Sequence, residues 1–403
     1  MIEYLSYILF FSVLTIFLIY IYIRLKYGFW FLQPVFHVYD LIYIFKPPGI
    51  IQHGLPEKNK YTNFKNIETI IFPELSELKK TRLVNFIRSN YLQNKDNIFS
   101  PQSQNIIPYF TGHNTKPFVS FYNEENLMLD LKKGTMIEDK KIVGLMTTRP
   151  IHIAIHNDSN SNTKDSKFDA YYVDYLCVDK MYRKKGIAPQ IIQTHEYNQR
   201  QLNKNIVVSL FKREDELTGI VPLCVYSTYG FSVNNWSKPI ELHPSYKLLE
   251  INPQNFHFLF DFIKNNSNQF DIVINTEVTN IIELIKTKNI FIYTIILQDE
   301  IICAYFFRKT CTFIEKNMEV LSCYASIKNC DDNIFIQGFK ISFWKISAEN
   351  YFGFAVIEEI SYNNIIIGNL KIKTTPLVIS PTAYFFYNFA YPTFRSDKVL
   401  ILN

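Results

Sequence analysis

The longest unbroken apolar stretch lies at the start of the chain. Residues 4–23, YLSYILFFSVLTIFLIYIYI, carry no charged side chain. At ~1.5 Å per residue a helix over that range spans ~30 Å, the thickness of a hydrocarbon core. Glu3 is the only early side-chain charge and Arg24 and Lys26 follow, the reverse of the basic start of a signal peptide. A buried helix would show a polar face, which this segment lacks. The expectation is a single transmembrane anchor over 1–26, with Arg24 and Lys26 holding the rest of the chain on the cytoplasmic side. Residues 35–45, VFHVYDLIYIF, are too short to span, so they read as an interfacial or core-packed link, ended by Pro47-Pro48-Gly49.

Beyond the link the apolar spacing alternates between helical and extended periods. Leu78, Leu83, Phe86 and Ile87 predict a helix over Leu75–Tyr91. Ile142–Ile155 reads as a hairpin or two strands, followed by a polar loop over Asn157–Lys167. Tyr171–Val178 reads as a buried strand, interrupted only by Asp174. Ile191, Ile192 and His195 then share one stripe of a helix beginning near Ala188, and Ile206–Phe211 is another strand. This is a β-β-α-β order. A similar order returns after about 250: a helix at 253–264, strands at 290–297, 301–307 and 319–327, a helical stretch at 336–350, and strands at 354–360 and 383–389. No residue-level repeat accompanies it. The division expected is an anchor at 1–26, a linker at 27–70, and two halves at 71–245 and 246–403.

Composition narrows the class. The chain has 403 residues, 48% hydrophobic and 16% aromatic, enough to bury a substantial core. A net charge of +5 suits a binder of anionic cofactors or a neighbour of an anionic leaflet, and is too small to argue for nucleic acid. The excess of Ile, Asn, Lys, Tyr and Phe suits an AT-rich genome, such as that of a large DNA virus or a protozoan. None of the six cysteines stands at C-x-x-C spacing or near a histidine, so no metal is expected and the cysteines read as reduced core residues.

The chemistry concentrates at Arg183-Lys184-Lys185-Gly186-Ile187-Ala188, a basic glycine-containing turn between a strand and a helix. Such a turn offers free N–H groups and the positive end of a helix dipole to an anion, and the three cations favour a pyrophosphate. R-x-x-G-x-A after a strand resembles the turn that holds coenzyme A in the GCN5-related acetyltransferase superfamily. The longer run D-Y-L-C-V-D-K-x-x-R-K-K-G-I-A-P, residues 174–189, resembles N-F-L-C-V-x-K-x-L-R-x-K-R-x-A-P of eukaryotic N-myristoyltransferases. Three more blocks follow that family's order. Residues 29–35, FWFLQPV, resemble F-W-x-T-Q-P-V; residues 90–99, NYLQNKDNIF, resemble N-Y-V-E-D-D-D-N-M-F; and 384–389 with 396–403 resemble Y-Y-L-Y-N-W and E-K-V-G-L-V-L.

The resemblance implies a mixed α/β fold of two GCN5-related halves in one pseudo-symmetric saddle. The activity it implies is transfer of a long acyl chain from myristoyl-CoA to an N-terminal glycine amine. Acyl transfer from a thioester needs a base and an oxyanion site. By resemblance the oxyanion donors are the N–H groups of Tyr175 and Leu176, and the base is the terminal carboxylate of Asn403, which follows the apolar run Val399–Leu402. The acyl-CoA contacts implied are Phe29, Trp30, Arg183, Lys184, Lys185, Gly186, Ile187 and Ala188, and the peptide contacts Tyr91, Asp96, Phe99, His152, Thr218 and Gly219. The chain also departs from the family. Asn94-Lys95 replace two acidic residues, His152 stands closer to Pro150 than its counterpart does, and Thr228-Tyr229-Gly230 replace a Y-W-H triplet. A short-chain N-acetyltransferase and a membrane-anchored binding or virion protein that keeps the fold without catalysis remain open alternatives.

Overall fold

The computed structural model describes residues 2–92, 97–130, 135–156, 165–214, 219–233, 236–314 and 318–403. In chain order its strands are β1 (Gly49–Ile50), β2 (Ile67–Ile71), β3 (Asn97–Phe99), β4 (Phe118–Asp130), β5 (Thr135–Ile155), β6 (Ser166–Val178), β7 (Val208–Glu214), β8 (Cys224–Ser232) and β9 (Tyr246–Glu250). They continue with β10 (Ile272–Asn275), β11 (Ile290–Leu297), β12 (Glu300–Ile314), β13 (Met318–Lys328), β14 (Phe352–Glu358), β15 (Val378–Tyr387), β16 (Phe389–Ala390) and β17 (Val399–Leu402). The helices are α1 (Ile2–Tyr27), α2 (Leu41–Phe45), α3 (Glu77–Asn90), α4 (Ser103–Ile106), α5 (Ile187–Leu202), α6 (Phe256–Asn266), α7 (Val278–Lys286), α8 (Asp332–Asn350) and α9 (Asn363–Lys373).

All strands except β1 and β16 join one mixed sheet, and its order explains the returning pattern in the sequence. In the first half β2, β4, β5 and β6 run antiparallel, and β6 connects through α5 to a parallel β7. In the second half β9, β11, β12 and β13 run antiparallel, and β13 connects through α8 to a parallel β14. Each half then takes its next strand from the other. β15 lies beside β7, β8 lies beside β14, and β8 and β15 pair with each other at the centre. One apolar cluster reflects this sharing, packing Leu83, Val119 and Leu145 together with Leu259, Phe306 and Leu402.

The expected hairpin over Ile142–Ile155 is instead the second part of the single strand β5. Its free edge changes partner midway, from β4 up to Thr148 to β10 from His152 onward. Pro150 falls in that interval, where the strand has a neighbour on one edge only and a residue without N–H is tolerated. In α3 the core face is carried by Leu83, Val84, Phe86 and Ile87, whereas Leu78, expected in register with them, is exposed near the helix start. Gly144 lets α5 lie close on β5: a Cβ there would stand 2.6 Å from Ile191 Cδ1. All six cysteines are free, and all but Cys330 are buried.

α1 is long and apolar enough over Tyr7–Tyr27 to cross a membrane, and none of that window is buried against the rest of the chain. Of the link that follows, Val35 and Phe36 are core residues, while Leu41–Phe45 form one short exposed helix.

Candidate active site

β6 and β7 pair only from Ala170–Val208 to Val173–Phe211. Beyond that point the two strands diverge, and a cavity of about 310 Å³ occupies the gap. Its walls come from β6 (Val173, Asp174, Leu176), α5 (Ile192, Glu196), β7 (Ser209, Phe211, Lys212, Arg213) and β15 (Tyr387), with Trp30 on one side. Trp30 is held by stacking on Phe211, with ring centroids 5.8 Å apart. The basic turn stands at the start of α5, one to two helical turns before the cavity-lining Ile192 and Glu196. Lys184 and Gly186 take the left-handed conformation (φ 64° and 74°), and Gly186 caps the helix. Arg183 donates to the Asn90 carbonyl at 2.9 Å, and Lys185 Nζ lies 4.6 Å from the Tyr182 ring centre. Arg183, Lys184, Lys185 and Gly186 are exposed, Ile187 is buried, and Ala188 half-buried. The N–H groups of Ile187 and Ala188 open the helix at its positive end, an arrangement that favours an anion.

A second cavity, of about 400 Å³, runs between the two halves. Tyr91, Asp174 and Lys212 line both cavities, so the two meet at those side chains. Phe99 and Tyr175 line the second cavity, and the ring of Tyr91 contacts both, with centroids 5.6 and 5.1 Å away. Its floor is charged. Lys212 Nζ and the Tyr226 hydroxyl both reach Glu358 Oε2, the lysine at 2.9 Å. Burial opposes the charge on Glu358, but Lys212, Tyr226 and Arg308 outweigh it and hold the carboxyl below its ordinary range. Asp174 shows the opposite balance. It pairs with Arg149 at 3.0 and 3.1 Å, yet burial keeps its carboxyl above the ordinary range.

The two residues expected to hold the oxyanion are placed differently. The Tyr175 N–H donates to Thr147 Oγ1 at 3.1 Å, on the β5 side, and is therefore engaged within the protein. Neighbouring N–H groups of a strand point to opposite edges, which directs that of Leu176 into the gap beside the first cavity. Asn403 is 3% exposed and its terminal oxygen accepts a hydrogen bond from Arg308 Nη2. Asn403 lines a small cavity behind the groove, while Arg308 lines the groove itself with its guanidinium 4.4 Å from the Tyr324 ring centre.

Other expected contacts lie elsewhere. Phe29 is buried against Tyr61 and Trp30 and lines neither cavity. His152 bridges Asp169 (2.7 Å) and Glu277 (3.2 Å) and lines neither cavity, because it falls in the part of β5 that lies between β6 and β10. Gly219 lies under the Tyr27 ring, where a Cβ would come within 2.5 Å, so it seats the end of α1 and lines neither cavity. Asp96 and Thr218 lie outside the described residues. Gly230, at the end of the Thr228-Tyr229-Gly230 run that departs from the family pattern, lies close to Phe354, 2.9 Å from where its Cβ would be. Sequence reasoning noted Asp174 only as the charge in its strand and missed Arg149, Lys212, Glu358 and Arg308; Arg149 is a lone charge in an apolar strand, whereas Lys212, Arg308 and Glu358 each sit beside a second charged residue and carry no such signal.

Glu196 is a further buried acid in the first cavity. Its Oε1 accepts no hydrogen bond and faces Arg200 at 3.7 Å. Burial, opposed by Arg200, pushes its carboxyl from 4.5 up to about 7. Because the folded-state value is raised, this group's contribution favours the fold at low pH and is lost as the pH rises through about 7. A bound acyl chain would exclude more water and favour the neutral acid further. Acyl-CoA is therefore expected to bind roughly three- to tenfold more tightly at pH 6 than at pH 8, and Glu196→Gln to flatten that dependence, as titration calorimetry across the range would read.

The architecture defines a broad fold first. It superposes on the tandem GNAT protein from the clavulanic acid biosynthesis pathway, solved without AcCoA, with a TM-score of 0.51 at 8% identity, covering 81% of this chain and 100% of that one. Within that fold it is more similar to Saccharomyces cerevisiae N-myristoyltransferase. A structure with bound myristoyl-CoA gives a TM-score of 0.69 at 13% identity over 93% of this chain and 91% of that one, and a second gives 0.67 at 12% over 92% and 94%. By sequence, residues 64–224 match the family model of myristoyl-CoA:protein N-myristoyltransferase, N-terminal domain. No curated protein sequence matches the chain. The fold is thus the two-half, GNAT-like architecture found in N-myristoyltransferases.

Proposed function

We propose that the protein is an acyltransferase moving a long acyl chain from acyl-CoA to the N-terminal glycine amine of a peptide. The observation that carries this reading is that two cavities adjoin at Tyr91, Asp174 and Lys212: one in the gap between β6 and β7, largely apolar in its lining, and one between the two halves. The turn 183–188 receives the pyrophosphate and the gap between β6 and β7 receives the acyl chain. The peptide enters along Phe99 and Tyr175 towards Arg308.

An α-amine, with a pKa of ~7.7–8.0, is mostly protonated at neutral pH and must lose a proton before it attacks. In this reading the carboxylate of Asn403 takes that proton. The amine nitrogen then bonds to the thioester carbon, the oxyanion is held by the Leu176 N–H, and the C–S bond breaks to release the CoA thiolate, which takes up the second proton that the nitrogen loses as the amide forms. Arg213, exposed at the edge of the first cavity, stabilises the negative charge as it develops. α1 anchors the protein in a membrane, with the basic end of the helix and the enzyme on the cytoplasmic side.

The test is mass spectrometry of a short peptide with N-terminal glycine, incubated with the full-length protein in nanodiscs and with either myristoyl-CoA or acetyl-CoA. A myristoyl mass increment from myristoyl-CoA alone is expected. An acetyl increment would assign a short-chain acetyltransferase instead. No increment from either, in protein that binds acyl-CoA, would mean the fold is kept for binding.

A further inference from the structure

The wall of the acyl cavity is built directly onto the apolar N-terminal helix. After α1 ends at Tyr27 the chain reverses, and the Phe31 ring contacts Tyr20, with centroids 5.7 Å apart. Tyr20 precedes the helix end by about two turns, ~10 Å along its axis, so residues 30–32 lie alongside the last turns of the candidate span. Trp30, next to Phe31, lines the cavity.

The segment that follows is fixed in place yet presents apolar side chains to the outside. Val35 is buried with Ile220, Phe385 and Tyr387; Val38 N–H donates to the Gly219 carbonyl at 3.0 Å; and His37 N–H donates to Asp40 Oδ2 at 2.8 Å. On this frame Leu32, Val38, Leu41, Ile42, Ile44 and Phe45 all point outward, with Ile42 78% and Phe45 87% exposed. Exposed Arg24 and Lys26 stand in the last turns of α1, and exposed Lys46 directly follows Phe45 in the chain. An apolar surface continuous with a span and edged by cations has the chemistry of a bilayer's headgroup boundary.

We infer that the surface formed by Leu32 and Val38–Phe45 rests in the headgroup boundary of the bilayer that α1 crosses, so that the acyl cavity opens at the membrane. The inference rests on the anchor reading. The donor's acyl chain then passes from the leaflet into the cavity past Trp30, and the acylated product leaves by the same side.

The test uses the full-length protein in phosphatidylcholine vesicles containing phosphatidylserine and a lipid with a photoactivatable diazirine near the headgroup. Adducts are mapped by mass spectrometry. Adducts on Leu41–Phe45 as well as within residues 4–23 are expected, and the Ile42→Glu/Phe45→Glu variant should lose at least fivefold of the former while keeping the latter. Adducts confined to residues 4–23 would overturn the inference and leave the anchor intact. No adducts in either region would overturn the anchor and the inference together.

Discussion

A short peptide added after Asn403 is expected to lower acyl transfer by roughly a hundredfold or more, the scale of a lost general base, while acyl-CoA binding persists. Val399–Leu402 are fully buried, Asn403 is 3% exposed, and its terminal oxygen sits on Arg308, so an added residue has no free space and removes the carboxylate. β17 pairs with β10 on the far side of β5 from the acyl cavity, which is why acyl-CoA binding should survive. A pH profile of kcat/KM separates chemistry from damage. Arg308→Met leaves a desolvated carboxylate without its cation, a change that raises a carboxylate's pKa. The acid limb is therefore expected to move to higher pH, whereas a purely structural loss would lower the whole profile without moving it. Full turnover by the extended protein would remove the terminus from the mechanism.

Removing Arg149 is expected to have the largest effect on stability. Its side chain is 1% exposed and that of Asp174 11%, with the guanidinium near the rings of Tyr109 and Tyr172. Arg149→Met leaves a buried carboxylate without a partner, a defect that costs about 3–5 kcal/mol in unfolding free energy. The double variant Arg149→Met/Asp174→Asn should recover most of that, because no buried charge remains. Burial already raises the Asp174 carboxyl, so the single variant can discharge its defect by taking up a proton, and the deficit should shrink as the pH falls. Urea unfolding at pH 7.5 and pH 5 reads both terms. A deficit below about 1 kcal/mol, the scale of an exposed pair, would show that the pair does not carry this part of the sheet.

What the sequence made legible was local. The strand, basic turn and helix over 171–202 share one short stretch of chain, where spacing, glycine and cation cluster act together. The apolar run at residues 4–23 was equally plain. What escaped depends on partners far away in sequence. Nothing near Cys224–Ser232 or Val378–Tyr387 signals that each strand completes the other half's sheet. β4 was missed because its alternation fades in Asn123–Asn126, and α9 because Asn363–Lys373 mixes asparagine, glycine and isoleucine in proportions that suit a strand as well as a helix. Gly219 was read as part of the groove, but its role is set by the ring of Tyr27, a contact no local pattern contains. Asp174 and Arg149 are each a charge inside an apolar strand, and only the fold reveals that they face one another.

The exchange of β8 and β15 also governs how the chain can reach its native state. Until residues 378–387 are in place, β7 and β8 each keep an edge unpaired, and the contacts that close them span more than a hundred residues. Closing such loops costs chain entropy before the contacts repay it, which makes folding slow and leaves open strand edges prone to association. The two halves are therefore not separate folding units that dock when finished. The centre of the sheet, and the groove along it, can be complete only once residues 378–387 lie between β7 and β8.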